Sequence, residues 1–353
     1  MALNSLVIGK IYHIPIELHW TFILLLLFTL LFGPLLFTLI ALLFLCVLIH
    51  ELAHSVTALN NKVGVKKIVL LPIGGASIID DQKLDAAAEL NISLAGPVMS
   101  LFLGFFFGIL SIFTPPGLIT LLFQEMFILN LLLGVFNLLP AFPMDGGRVF
   151  RSYLEKSRSF FDSTMLTVKV SNYMMVAILV GTFAFLALSK SYTLVYKEFL
   201  ALFDVLIVMF LYSGTQSEKR NVILRRDTQG LVARDAISSK YALVKPASRV
   251  SVLYELSKRQ GEHLFITKTD IGYCYVNLSR KHKTAPRYVR ELAERMPQVG
   301  PRESVVDVMG KLEAAQSAIA AVVERGKLIG VCTSATLQAT ISMHLMKKKG
   351  KTP

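Results

Sequence analysis

Long apolar segments alternate with short polar ones over the first 213 residues, and the chain is mixed and polar beyond them. The apolar segments lie at about residues 19–33, 35–59, 86–112, 118–139, 166–188 and 194–213. A helix needs roughly 20 apolar residues to cross a hydrocarbon layer about 30 Å thick. The pattern therefore predicts a polytopic α-helical membrane protein with six transmembrane helices in residues 1–213.

The stretch between the second and third spans departs from this pattern. Residues 62–81 are rich in Val and Ile and are interrupted by Pro72 and by Gly74 and Gly75. They are too broken to cross the membrane as a helix, so they predict extended strands or a re-entrant loop. Either is stable at membrane depth only where protein covers it or water reaches it. Residues 1–18 predict an interfacial lead-in to the first span.

The C-terminal part predicts a separate α/β domain. Two similar halves, residues 231–284 and 285–345, each contain an amphipathic helical stretch followed by two apolar strands, which indicates duplicated units packed as a pair. Residues 214–230 are polar and predict a linker. Residues 346–353 predict a solvated basic tail near an anionic leaflet.

Composition and charge support this division. A hydrophobic fraction of 54% and a mean hydropathy of +0.57 exclude an ordinary soluble enzyme. The net charge of +13 arises entirely beyond residue 213 and fits an anionic ligand or leaflet; we expect no nucleic-acid partner. The three cysteines are widely separated and predict no disulfide framework. The N-terminus shows no removable signal peptide.

The distribution of lysine and arginine predicts the orientation in the cell membrane. Lys66, Lys67 and Arg148 are among the basic residues that follow the second and fourth spans, whereas the opposite loops hold only Lys190 and Lys197. By the positive-inside rule, both termini are expected in the cytoplasm. His54, about six residues from the polar end of its helix, would then lie roughly 10 Å below the cytoplasmic surface.

The sequence HELAH in the second span is the main candidate for chemistry. His50 and His54 are four residues apart, so they share one face of a helix and can bind one metal ion. In an H-E-x-x-H zinc site the glutamate, here Glu51, takes a proton from water. Ionisable side chains within a membrane span are expensive and usually functional. His19 is better explained as an interfacial histidine than as a ligand.

A catalytic zinc site generally needs a third protein ligand. Asp145 is the best candidate, because it is an acid in the helix-breaking sequence NLLPAFPMDGGR close to membrane depth. Cys46 is the alternative, but ligands at i, i+4 and i+8 would span about 12 Å of one helix. Cys46 is therefore better explained as a small buried apolar residue.

Two polar residues near this constellation keep a second explanation. Asn137 is expected either to hydrogen-bond the substrate or a developing oxyanion, or to cap the broken helix. The histidines, Glu51 and Asp145 are alternatively a helix-packing patch in which Asp145 caps the helix that begins at Gly146. That explanation leaves unexplained why so many polar groups occur in one apolar domain.

These motifs carry a resemblance to a known family. HELAH in a transmembrane helix, then LLPIGG, LAGP and NLLPAFPMDGGR, resemble the site-2 protease family of intramembrane zinc metalloproteases, peptidase family M50. The later halves resemble a tandem pair of CBS domains. The resemblance implies one Zn²⁺ bound by His50, His54 and Asp145, with Glu51 as general base. It also implies hydrolysis of a peptide bond in or near a transmembrane helix of a membrane-protein substrate.

The CBS resemblance implies an adenine nucleotide such as ATP or AMP, but this chain departs from the CBS pattern. The ribose-binding acid is missing after Gly272 and after Gly330, and only Thr333 keeps the hydroxyl of the motif. A homo-oligomer formed through the paired halves, or a role in substrate docking, is the alternative to nucleotide binding.

Two other functions compete with proteolysis. A CBS-regulated transporter or channel with a metal site predicts internal symmetry among the spans, and residues 1–213 show no such repeat. A catalytically inactive scaffold is disfavoured by the complete ligand set. The physiological substrate does not follow from the sequence.

Overall fold

The computed structural model describes residues 5–72, 74–79, 84–188, 194–260, 264–276 and 286–349. The chain forms two compact units, Met1–Val222 and Ile223–Pro353, which are described separately. Lys190, the predicted boundary between residues 284 and 285, and the end of the predicted basic tail lie outside the described residues.

The first unit is built from seven helices in the described part of the chain. These are α1 (Trp20–Leu30), α2 (Pro34–Asn60), α3 (Ala86–Phe113), α4 (Leu118–Asn137), α5 (Asp145–Leu154), α6 (Phe160–Leu188) and α7 (Leu194–Asp227). Five helical stretches are long and apolar enough to cross a membrane: α2, α3, α4, α6 and the Leu200–Asp227 part of α7. The first unit is therefore a polytopic helical membrane domain.

The first predicted span is shorter in the structure than in the sequence pattern. Helix α1 has 11 residues and is roughly 16 Å long, too short to cross the hydrocarbon layer alone. His19 ends the preceding strand and caps this helix, since its ring nitrogen accepts from the backbone N–H of Thr21. Gly33 turns the chain, and Pro34 begins α2, where the missing N–H has no helical partner to lose.

Helices α3 and α4 pack closely through small residues. A side chain at Gly104 would meet the backbone of Leu131, 3.2 Å from its β-carbon, and one at Gly108 would meet the ring of Phe127. Small residues allow this approach of two helix backbones in an apolar medium.

A four-stranded sheet covers the end of α2. Its strands are β1 (Ser5–Ile11), β2 (Ile14–His19), β3 (Val65–Leu71) and β4 (Gly74–Ile79), in the order β1-β2-β3-β4. Strands β2 and β3 are parallel, and the other two pairs are antiparallel. The expectation of extended strands in residues 62–81 is confirmed. Residues 5–19, most of the predicted interfacial lead-in, form a hairpin that extends this sheet, and their position at the interface stays a prediction.

The predicted linker is mostly helical. Helix α7 runs to Asp227 without interruption, so it includes most of residues 214–230. Polar composition alone does not end a helix, because Glu, Lys, Arg and Gln are good helix formers.

The second unit contains two small sheets and three helices in its described residues. The first sheet has the order β5-β6-β7-β8 and the second β11-β10-β9. The strands are β5 (Ala242–Leu243), β6 (Phe265–Thr269), β7 (Gly272–Val276), β8 (Ala293–Arg295), β9 (Gln298–Val299), β10 (Ile319–Glu324) and β11 (Lys327–Thr333). The helices are α8 (Val250–Gln260), α9 (Val305–Ala314) and α10 (Ser334–Lys349).

The two halves of this unit exchange their first segments. The short 3₁₀ helix Ala233–Ala236 of the first half is buried in the core formed by α9, β10, β11 and α10. The corresponding 3₁₀ helix Val289–Leu292 of the second half is buried in the core formed by α8, β6 and β7. Each half in sequence therefore completes the core of the other.

All three cysteines are free and buried. Burial among apolar side chains raises the pKa of the Cys332 thiol to about 11. The absence of a disulfide between these cysteines agrees with the spacing of the cysteines along the chain.

Candidate metal centre

Helix α2 places His50 and His54 one turn apart on a buried face. Their Nε2 atoms are 3.1 Å apart, and the two side chains are 4% and 6% exposed. The Oδ2 atom of Asp145 lies 3.2 Å from Nε2 of His50 and 3.1 Å from Nε2 of His54. Three atoms of ligand type thus converge on one point inside the helical domain.

The chain between α4 and α5 brings Asp145 to this point. Asp145 is the first residue of α5, and two glycines follow it. A side chain at Gly146 would collide with the backbone of Leu138, and one at Gly147 with the backbone of Ala141. Glycine at these two positions lets the broken segment fold tightly against the start of α5, which fixes the carboxylate beside the histidines.

Contacts on the far side of each ring orient the two histidines. Nδ1 of His54 donates to the carbonyl of Ile92 at 2.6 Å, and Nδ1 of His50 lies 2.8 Å from the hydroxyl of Ser100. Because a carbonyl only accepts, the proton of a neutral His54 ring is on Nδ1 and the Nε2 lone pair faces Asp145. Such outer contacts fix the tautomer of metal-binding histidines.

Helix α3 approaches the two rings closely because residue 96 is glycine. A β-carbon at Gly96 would collide with ring atoms of both His50 and His54. The LAGP sequence of α3 therefore forms one wall of the centre.

The donor set fits zinc. Two imidazole nitrogens and one carboxylate oxygen are ligands of catalytic zinc, and ligands about 2.0–2.2 Å from one tetrahedral ion stand about 3.3–3.5 Å apart. The observed separations of 3.1–3.2 Å are close to that value. The lone pair of His54 and the carboxylate of Asp145 repel each other unless a positive charge lies between them.

Glu51 is held by a short chain of hydroxyl groups. Ser77 of β4 lies 2.6 Å from Oε2 of Glu51 and donates to it, and the buried Ser55 lies 3.2 Å from Ser77 and donates to its hydroxyl. A β-carbon at Gly75 would press on the side chain of Glu51, with its Cδ only 3.1 Å away. Strand β4 therefore lies directly over the glutamate, and its small residues leave the space that the glutamate occupies.

A buried ion pair joins α3 to α5 near the ligands. The guanidinium of Arg151 pairs with Glu89, and the two residues are 6% and 5% exposed. Ser152 also donates to Glu89 at 2.9 Å. Glu89 lies one turn before Ile92, which binds His54, and Arg151 lies on the helix that begins with Asp145. The pair therefore holds together the two elements that fix these ligands.

The other predicted site residues lie away from the convergent atoms. Cys46 is buried, and its sulfur lies 3.2 Å from the amide nitrogen of Asn130, which donates to it. Asn137 is the last residue of α4 and donates to the carbonyl of Leu133 at 3.0 Å within its own helix. Thr333 ends β11, and its hydroxyl accepts from the N–H of Thr336 at the start of α10.

Asp145 does not act as the helix cap of the alternative explanation. The cap position of α5 is Met144, and Asp145 lies inside the first turn with its carboxylate on the two histidines.

Comparisons with known proteins place the chain in a family. The profile of peptidase family M50 matches residues 38–120 and 116–182. A zinc metalloprotease of Methanocaldococcus jannaschii is 30% identical over 98% of this chain and 99% of its own length. The chain belongs to peptidase family M50. The Rip3 protein of Mycobacterium tuberculosis, named as a zinc metalloprotease, is 40% identical to this M50 peptidase. The match covers 30% of the present chain and 28% of Rip3.

A solved structure is also similar to this M50 peptidase. The site-2 protease from Methanocaldococcus jannaschii has 36% sequence identity and a TM-score of 0.43, and the match covers 61% of this chain and 95% of that chain.

Several residues of the centre carry no clear signal in the sequence of this M50 peptidase. Ser77, Ser100 and the carbonyl of Ile92 come from elements distant in sequence from His50 and His54, and a single serine in an apolar stretch is common. Glu89 and Arg151 offered more, because a charge near an apolar segment needs a partner. Arg151 follows the fourth span and counts in the sequence as one of the basic residues on the cytoplasmic side, but its side chain is buried in α5.

We expect replacement of Arg151 by Met to destabilise this M50 peptidase by about 3–5 kcal/mol, because Glu89 is then left as a buried charge without its counterion. Thermal unfolding in detergent measures the change. The control is Arg226→Met: the Arg226 side chain is 49% exposed beside Asp227, so its loss should cost less than about 1 kcal/mol. Equal unfolding temperatures for the two variants would contradict the structural role of the buried pair.

Proposed function

We propose that this M50 peptidase is an intramembrane zinc metalloprotease that cleaves peptide bonds within or near transmembrane segments of membrane proteins. His50, His54 and Asp145 hold the zinc, and Glu51 is the general base. The observation that supports this assignment most strongly is the convergence of three ligand atoms within 3.1–3.2 Å of one another. Two of them, from His50 and His54, belong to the helix that also carries Glu51.

Each residue of the centre has a defined task in hydrolysis. When bound, zinc polarises the peptide carbonyl and acidifies water. Glu51 takes a proton from the attacking water and gives it to the leaving amine. Ser77 donates to Oε2 of Glu51 and so orients the carboxylate, which keeps free lone pairs to receive this proton. Asn137 is oriented by its bond to Leu133, and its role towards an oxyanion stays a prediction.

Strand β4 is the proposed binding element for the unwound substrate. A peptide bond inside a helix is shielded, so the substrate must become extended before it is cut. Strand β4 is at the edge of its sheet, and two of its residues, Gly75 and Ser77, lie against Glu51. An extended peptide that adds to this edge gains main-chain hydrogen bonds beside the general base.

We propose six membrane crossings with both termini in the cytoplasm. Five crossings are the long apolar helices. The remaining one, first in chain order, is short: it consists of α1 and the apolar residues after it, including the exposed Leu31 and Phe32. The bilayer thins locally around a crossing of this length. The orientation rests on exposed basic residues such as Lys66 and on the basic end of α7. Arg151 is left out of this count because its side chain is buried. The centre then opens towards the cytosol.

We propose that residues 231–345 are a tandem CBS-like pair with a regulatory role. The exchange of 3₁₀ helices between the halves supports the pairing. Nucleotide binding has weaker support, since the acids of the motif are missing and the hydroxyl of Thr333 caps α10. Binding of ATP or AMP at Thr333 therefore stays a prediction, as does a homo-oligomer formed through this pair. Membership of a peptidase family disfavours the transporter alternative.

Replacement of Glu51 by Gln should abolish proteolysis and leave zinc in place. The amide cannot accept a proton, so we expect the cleavage rate of a transmembrane substrate to fall at least about 100-fold. Metal analysis of the same preparation should give the zinc content of the wild type. Cleavage at the wild-type rate would refute the role of Glu51 as the base.

Replacement of Asp145 by Ala should remove zinc, because two histidines alone hold it weakly. Metal analysis after dialysis is the measurement. Cys46→Ala is the matched control and should retain its zinc, since Cys46 contacts Asn130 and is not one of the convergent residues. The opposite outcome, zinc lost with Cys46 and kept without Asp145, would make Cys46 the third ligand.

Proline at Ala76 or Ile78 should slow cleavage and leave the zinc content unchanged, because each proline removes a backbone donor of β4. The loss of one hydrogen bond to substrate corresponds to roughly 1 kcal/mol, or about 5-fold to 10-fold in kcat/KM. Ala76→Val and Ile78→Ala keep the N–H and are the controls. Strand addition is wrong if neither proline variant is slower than its control.

A further inference from the structure

One face of α7 is buried against the segment that carries Asp145. Leu211, Thr215 and Val222 are 6%, 0% and 3% exposed. Gly214 and Glu218 lie between them at helical spacing, so these five residues form one continuous stripe. The three central residues of this face, Gly214, Thr215 and Glu218, are called the α7 stripe below.

The stripe contacts the chain just before Asp145. The hydroxyl of Thr215 donates to the carbonyl of Phe142 at 2.9 Å. A β-carbon at Gly214 would collide with the ring of Pro143, so glycine is needed for this close approach. Ser171 of α6 holds the other side of the same peptide segment, since its hydroxyl accepts from the N–H of Phe142 at 2.9 Å.

The stripe also contacts the chain just after Asp145. Oε1 of Glu218 lies 3.6 Å from the guanidinium of Arg148, and Oε2 lies 3.5 Å from that of Arg151. Both arginines are on α5, within the two turns that follow Asp145. The Glu218 carboxylate is 23% exposed, so water screens these pairs only in part.

Two features indicate that Glu218 acts on Asp145 specifically and does not only stabilise the packing of the helices. Arg151 already has Glu89 as its buried counterion, so Glu218 is not needed to neutralise Arg151. Glu218 instead links Arg151 to Arg148 and draws the first turns of α5 towards α7. Together with Thr215, it fixes the backbone on both sides of a single residue, Asp145.

We propose that the α7 stripe positions the third zinc ligand and that Glu218 is a positioning residue for Asp145. The inference rests on the proposed zinc site. Residues that orient metal ligands from outside typically change metal affinity about 10-fold to 100-fold when they are replaced. Glu218 touches neither the histidines nor Glu51 in the described contacts, and both of its ion-pair partners lie on α5, so its main effect should pass through α5 to Asp145.

The test is Glu218→Gln in the full chain, purified in detergent. Competition with a chelator should show zinc bound about 10-fold more weakly than in the wild type. With Co²⁺ in place of zinc, the visible absorption bands should shift, because they report the arrangement of the ligands. Glu198→Gln, an exposed glutamate on the same helix, is the matched control and should leave both measurements unchanged.

Unfolding of the metal-free protein separates positioning from loss of structure. We expect Glu218→Gln to unfold near the wild-type temperature without metal. Thr215→Val, which removes no charge, should weaken zinc binding in the same direction. Wild-type zinc affinity and an unchanged Co²⁺ spectrum in both variants would overturn the proposal. A wild-type protein that binds no zinc would instead refute the proposed function, so the two failures are distinguishable.

Discussion

Polar groups that are buried among apolar helices need partners inside the protein, because lipid offers none. In this M50 peptidase the strongest case is the convergence of His50, His54 and Asp145. Each of these proposed ligands is itself held by a group from another helix: Ile92 and Ser100 on α3 for the histidines, and the stripe of α7 for the segment around Asp145. The pair of Glu89 and Arg151 joins α3 to α5. The packing of these helices is therefore largely determined by the needs of one centre.

The four-stranded sheet contacts Glu51 through one of its strands, β4. Strands β1 and β2 extend it away from α2, whereas β4 brings Gly75 and Ser77 against Glu51. A strand edge is a hazard in most proteins because it pairs with other chains. In a protease such pairing is useful, since it holds a substrate in the extended form that hydrolysis requires. The hydroxyl group of Ser77 thus joins Glu51, the proposed base, to β4, the proposed binding edge.

The second unit is held together by the exchange of segments between its two halves. Its two halves bury each other's first segments, with Ala233 and Ala236 in one core and Val289 and Leu292 in the other. Neither half has a complete apolar core without the other. Such a pair is expected to fold and unfold as one body.

The sequence by itself determined the elements with strong local patterns. Long apolar runs were sufficient to predict the five described helices that can cross the membrane, although they overestimated the length of α1. The spacing of His50 and His54 is sufficient to place both on one helix face. Asp145 was predictable as a candidate ligand because it is an acid in a helix-breaking segment close to membrane depth, whereas its alternative role as a helix cap was excluded only by the structure. The strand character of residues 5–19 was missed because β2 also pairs with β3, about 50 residues further along the chain, which local patterns do not report. The helical nature of the predicted linker was missed because polar residues form helices as well as loops.

Only the tertiary structure decided which distant groups meet. That Ser77 holds Glu51, that Arg151 is buried against Glu89, and that Cys46 contacts Asn130 depend on how helices and strands pack. A serine, an arginine or an asparagine has the same local signature on a free surface as in these contacts. The physical reason is that burial gives a polar side chain its partner, and burial is a property of the folded chain.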